Sequence, residues 1–171
     1  MTYIPRLAEA LVRKNLNSRK ILILLGARQV GKTTLLSQVI AKQNGRIFNL
    51  DVEIDKTELL ANQALAPDEA IKNLGNPKIL IIDEAQRYPQ ISRIVKGWYD
   101  SGVKTKIILS GSSSLNLLDQ SAEPLTGRNE KIFLPPLVFQ EILRWQTWYP
   151  SFNVQPQDFS SQTHSLLLQS L

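Results

Sequence analysis

ILILLGARQVGKTTLLSQVI, residues 21–40, joins an apolar run of strand length, a glycine-bounded loop and a helix start without a break. Ile21 to Leu25 contain no polar residue, the pattern of a parallel strand covered on both faces. The next residues fit G-x-x-x-x-G-K-[ST] at every fixed position, with Gly26, Gly31, Lys32 and Thr33. Such a loop must turn backbone N–H groups inward around phosphates, and glycine permits both the turn and the close approach. Ala27, Arg28, Gln29 and Val30 fill the variable positions and Thr34 follows at the helix start. In this reading Lys32 supplies a point charge for the terminal phosphates and Thr33 a hydroxyl for Mg2+, beside the positive end of the helix dipole. Leu35, Leu36, Val39 and Ile40 recur at helical spacing, and Asn44-Gly45 is expected to cap that helix at its C-terminus. The strand–loop–helix context outweighs a chance match and points to a nucleoside triphosphate.

A second motif, KILIIDEAQR at residues 78–87, runs another apolar strand into Asp83-Glu84. This strand is expected beside the loop-bearing strand, so that Asp83 faces the same crevice and holds Mg2+ directly or through water. Glu84 then orients and deprotonates an attacking water, and Gln86 follows closely enough to help position it. Two solvated acids at a strand end is the plainer alternative, and the phosphate-loop motif makes it the weaker one. Lys106 to Leu109 reads as a strand delivering Ser110 and a Gly-Ser run to the same sheet edge. Ser110 there bonds a terminal phosphate or the attacking water, or a serine of the run caps a helix carrying Leu115, Leu117 and Leu118. Asp51, after a strand at residues 47–50, is expected to be solvated, and Arg28 and Gln29 to touch phosphate or point outward. His164 is the sole histidine and lies in a polar tail with no partner for catalysis.

GARQVGKTTLL, LIIDEAQ, ILSGSSSLNLL and LTGRNEKIFLPPLVFQEIL occur in that order, and together they resemble the prokaryotic AAA-type ATPases that join an ATP-binding domain to a C-terminal domain of unknown function. The likeness covers residues 1 to about 145. It implies a three-layer α/β/α sandwich with a mainly parallel sheet of about five strands. Residues 1–149 would form the AAA-type ATP-binding domain, with 1–20 a leading amphipathic helix, and 150–171 a linker or the start of a truncated C-terminal region. The resemblance maps the phosphate loop onto Gly26 to Thr33, the acidic pair onto Asp83 and Glu84, a polar sensor onto Ser110 and a late arginine onto Arg128. Arg128 would stabilise phosphoryl transfer in its own subunit or a neighbour's, or else be an exposed loop residue. ATP and Mg2+ are the implied ligands and hydrolysis the implied reaction. A nucleotide-gated interaction module without turnover and a small-molecule kinase remain the alternatives. A homo-oligomer or a C-terminal effector domain is the implied partner.

The remaining composition bounds these readings. The 171 residues suit one domain, and 43% hydrophobic content is ordinary for a globule. Zero cysteines exclude disulfides, cysteine–zinc sites and thiol nucleophiles, and suit a cytoplasmic location. No run approaches membrane-span length, and the N-terminus lacks the continuous apolar core of a signal peptide. Ile4, Leu7, Leu11 and Leu16 predict an amphipathic helix packed on the domain. Net charge is +5, and residues 1–46 hold nine Lys or Arg against Glu9 alone. That basic end admits a nucleic-acid partner without requiring one.

Overall fold

The three inner strands of a five-stranded sheet are buried along their whole length and rich in isoleucine and leucine, because a parallel strand covered on both faces has little room for polar side chains, while the two edge strands carry polar residues. The computed structural model describes residues 3–112 and 125–146. By compactness the chain divides into two units, residues 6–136 and residues 1–5 with 137–171. In the larger unit the elements are α1 (Leu7–Asn15), β1 (Ile21–Leu25), α2 (Lys32–Ile40), β2 (Gly45–Asn49), α3 (Glu53–Ala61), α4 (Pro67–Asn73), β3 (Ile79–Asp83), a 3-10 turn (Ala85–Arg87), α5 (Ile91–Ser101), β4 (Lys106–Gly111) and β5 (Asn129–Phe133). In the smaller unit α6 spans Phe139–Trp145, where the Val138 N–H donates to the Glu141 carboxylate at 3.1 Å. The expected helix at Leu115 and the tail from residue 150 with His164 lie outside the described residues. Among the described residues no helix is long and apolar enough to cross a membrane.

All five strands pair in parallel, in the order β2-β3-β4-β1-β5. The expected adjacency of β1 and β3 is therefore corrected: β4 lies between them. The first crossover carries the chain from β1 to the far edge at β2, and β3 and β4 then fill inward. Alternation divides the buried side chains between two faces. Ile21, Ile23 and Leu25 join Phe48, Leu80, Ile82 and Leu109 in a core covered by Leu59 of α3, Ile71 of α4 and Ile91, Val95 and Trp98 of α5. Leu22 and Leu24 are equally buried but lie outside that cluster, and α2 buries Leu35, Leu36 and Val39. The result is the three-layer arrangement expected.

Two local expectations are revised. Helix α2 ends at Ile40, and Gly45 opens β2 instead of capping the helix, because the chain folds back there and a Cβ on Gly45 would lie 2.8 Å from that of Ile40. Helix α1 forms, but with a different face inward: Ala8, Val12 and Asn15 are buried, while Leu7 and Leu11 are 41% and 58% exposed. The inward stripe is spaced i, i+4, i+7, and its rotation is fixed by polar anchors at both ends. At the C-terminal end, Asn15 Oδ1 accepts from the buried ammonium of Lys106 at 2.7 Å, and the Ser18 and Lys20 carbonyls accept from the same group. Burial pushes the Lys106 ammonium down to about 8. Replacing Val12 with Ala is expected to cost about 2 kcal/mol of stability, and Leu11→Ala under about 0.5 kcal/mol. Urea denaturation of the two variants checks the rotation, and the reverse ranking would restore the Leu7–Leu11 face to the interior.

Candidate functional site

The loop between β1 and α2 is set by what surrounds its glycines. Gly31 adopts φ 94° immediately before α2, a left-handed conformation that favours glycine. Gly26 lies so close to the strand-end segment after β5 that a Cβ there would sit 2.6 Å from the Leu134 carbonyl oxygen. Lys32, only 5% exposed, turns its ammonium back over the loop and donates to the carbonyls of Gly26 at 3.0 Å and Ala27 at 2.9 Å. Ala27, Arg28, Gln29, Thr33 and Thr34 are exposed around it, and Gln29 is a second left-handed residue at φ 61°. The positive end of the α2 dipole adds to the Lys32 charge, so the loop mouth is built for an anion.

Asp83, the last residue of β3, meets this loop although β4 separates the two strands. Its carboxylate accepts from the Thr33 hydroxyl at 2.5 Å through Oδ2. Through Oδ1 it accepts from the Ser110 hydroxyl at 2.6 Å and the Glu84 amide at 3.0 Å. Asp83 and Ser110 are both fully enclosed, while Thr33 is exposed, so the junction joins a satisfied buried carboxylate to the loop mouth. Glu84 follows in a left-handed conformation, φ 53° and ψ 38°, and its carboxylate accepts from the Gln86 side-chain amide. That bond fixes the orientation of the Gln86 amide and leaves its Oε1 buried without a hydrogen-bond partner.

The structure thus gathers Gly26 to Thr33, Asp83, Glu84 and Ser110 at the C-terminal edge of the sheet. It does not bring Arg128 there. The Arg128 carbonyl accepts from the Ile21 amide at 2.8 Å, at the opposite end of β1 from the loop. A five-residue strand separates the two ends by about 13 Å. Its guanidinium pairs with Asp100 at 2.6 Å, and that hydrogen bond holds the Asp100 carboxyl below its usual range. A role for Arg128 at its own subunit's loop is corrected accordingly, since a residue just ahead of parallel β5 must lie at the sheet's N-terminal edge. Asp51 is held by Arg87 in an ion pair of 2.5 Å. Sequence reasoning missed Arg6. Its guanidinium is buried and donates to Val30, inside the loop, at 2.8 Å and to Pro135 at 2.5 Å. No local signal marks it, because both acceptors are backbone carbonyls remote in sequence.

Known proteins resemble this chain in sequence and in fold. Residues 18–143 match the family described as AAA domain. An uncharacterized protein of Mycobacterium tuberculosis is 30% identical over 137 residues, covering 79% of this chain and 29% of that protein. One of Methanocaldococcus jannaschii is 32% identical over 159 residues, covering 86% and 33%. The chain therefore spans about a third of the length of these relatives. Among solved structures, Bacteroides Pif1 bound to ssDNA superposes with a TM-score of 0.55 at 14% identity, covering 84% of this chain and 46% of that one. Saccharomyces cerevisiae RIF2 gives 0.53 at 15% identity, covering 99% and 70%. At such identities the likeness is one of fold. With the P-loop fold, the loop geometry and a family match over most of its length, the chain belongs to the AAA domain family of P-loop nucleotide-binding proteins.

Proposed function

We propose that this chain binds ATP with Mg2+ at the loop of residues 26–34 and hydrolyses it by attack of water on the terminal phosphate. The observation that carries the reading is the Thr33–Asp83–Ser110 junction at the loop mouth. A hydroxyl and a carboxylate oxygen 2.5 Å apart are hard donors suited to Mg2+, which takes few protein ligands and completes its shell with water and phosphate oxygens. When bound, the ion would supply charge to neutralise the phosphates, held by Thr33 and Asp83. Lys32 and the loop amides bind the phosphates and orient the terminal group. Ser110 keeps Asp83 in position, and Glu84 is the base that takes a proton from water.

The bond between Gln86 and the Glu84 carboxylate favours a second reading, a nucleotide-gated module with little turnover, since the base is engaged within its own turn. Free phosphate released from ATP and water supports the first reading, and tight binding without product the second. A nucleic-acid partner, suggested by the ssDNA in the Bacteroides Pif1 structure, gains little from the charge distribution. Arg13, Lys20 and Arg46 are in ion pairs, Arg6 and Lys32 bond loop carbonyls, and Arg19 lies over Tyr99. The basic N-terminal excess is thus mostly committed within the fold.

Lys32→Ala is expected to remove measurable ATP binding while leaving the thermal midpoint of the free chain within a few degrees; unchanged affinity by calorimetry contradicts the site. Glu84→Gln is expected to keep ATP affinity and to slow phosphate release by about 10²- to 10⁴-fold. Equal rates at matched occupancy remove Glu84 from the mechanism. Arg128→Ala, measured in dilute monomer, is expected to leave ATP affinity unaltered and to change stability little, because its pair with Asp100 is screened by solvent. A large loss of affinity in that monomer would return Arg128 to its own subunit's site.

A further inference from the structure

The chain passes between its two units at Pro5–Arg6 and again at Pro136–Leu137. Arg6, the first residue of the larger unit, reaches back to the second crossing. One arm of its guanidinium donates to the Pro135 carbonyl at 2.5 Å and the other to the Val30 carbonyl at 2.8 Å. The residue is 8% exposed, a depth at which arginine is rarely found unless paired. It is the N-cap residue of α1 yet makes no side-chain capping bond to that helix.

What Arg6 holds is a single peptide plane of the phosphate loop. The Val30 carbonyl and the Gly31 N–H belong to one planar trans peptide and point in opposite directions. Fixing the carbonyl outward on Arg6 turns the Gly31 N–H inward, the orientation an anion needs. The segment after β5 braces the other end of the same loop: the Leu134 N–H donates to the Leu25 carbonyl at 2.7 Å, and the Leu134 carbonyl abuts Gly26. The chain that continues into the second unit therefore touches the loop directly at Gly26 and, through Arg6, at Val30.

Resting on the nucleotide-binding reading of this loop, we propose that Arg6 is a positioning residue that couples the chain leading through Pro135 into the second unit to the nucleotide affinity of the loop. The Gly31 N–H is aimed inward only while the Pro135 carbonyl and the Arg6 fork are both in place. Linkage makes the effect reciprocal, so bound nucleotide steadies the segment around Pro135 as that segment steadies the loop.

The test uses the full 171-residue chain, with calorimetry for ATP affinity and hydrogen exchange on peptides covering residues 134–140. In wild type, saturating Mg-ATP is expected to slow exchange in that segment. Arg6→Gln is expected to weaken ATP binding about 10- to 100-fold, the loss of hydrogen bonds from a charged donor. At matched occupancy the same variant should leave exchange in the segment unaltered by nucleotide. A purely structural arginine would lower the thermal midpoint and preserve the nucleotide-dependent protection. Wild type that binds ATP without protecting residues 134–140 overturns the coupling, and that result stands even where Arg6→Gln does not fold. Arg6→Gln with wild-type affinity and protection overturns it as well. Wild type that binds no ATP overturns the nucleotide reading, and this inference with it.

Discussion

A buried carboxylate is tolerable only when its oxygens are satisfied, and the site is organised around that requirement at Asp83. Thr33 from the start of α2, Ser110 from β4 and the amide of Glu84 all donate to it. These bonds link the phosphate loop to the ends of β3 and β4. On the proposed function, they also set where the chemistry sits. Thr33 is tied to the end of β3, Lys32 next to it caps the loop with its ammonium, and Glu84 is delivered one residue beyond Asp83 in a conformation that a non-glycine residue adopts at a cost.

The sheet separates the candidate site from its support. Its C-terminal edge carries the loop, Asp83, Glu84 and Ser110. At its N-terminal edge lie Lys106, bonded to Asn15 and the Ser18 and Lys20 carbonyls, and Arg128, paired with Asp100. Charges at the N-terminal edge tie helices and turns to strand starts. The segment after β5 bears on the loop from within the same unit, through Leu134 beside Gly26 and through Arg6, which bonds both the Pro135 and Val30 carbonyls.

Much of this was legible in the residues because the signals were local. ILILL and ILII are buried parallel strands for the simple reason that both faces are covered, and the loop motif carries its own geometry in two glycines, a lysine and a threonine. The failures share a non-local cause. The place of β4 between β1 and β3 depends on crossovers, which no stretch of sequence encodes. The leucines of α1 point to one inward face, whereas anchors at Arg6 and Asn15 set the helix rotation that buries another. Arg6 itself reads as one surface cation among nine near the N-terminus. The reading of Arg128 rests mainly on resemblance, although its position just before a parallel strand assigns it to the far edge.

The most direct test of the Asp83 junction is the Mg2+ dependence of ATP affinity, compared by calorimetry between wild type and Asp83→Asn with and without chelator. The substitution keeps size and a carbonyl oxygen toward Ser110 but removes the charge. Wild type should bind ATP at least about tenfold more tightly with Mg2+, an increment of 1.4 kcal/mol. Asp83→Asn should lose that increment and retain the metal-free affinity set by Lys32 and the loop. An undiminished Mg2+ increment in the variant would contradict the account.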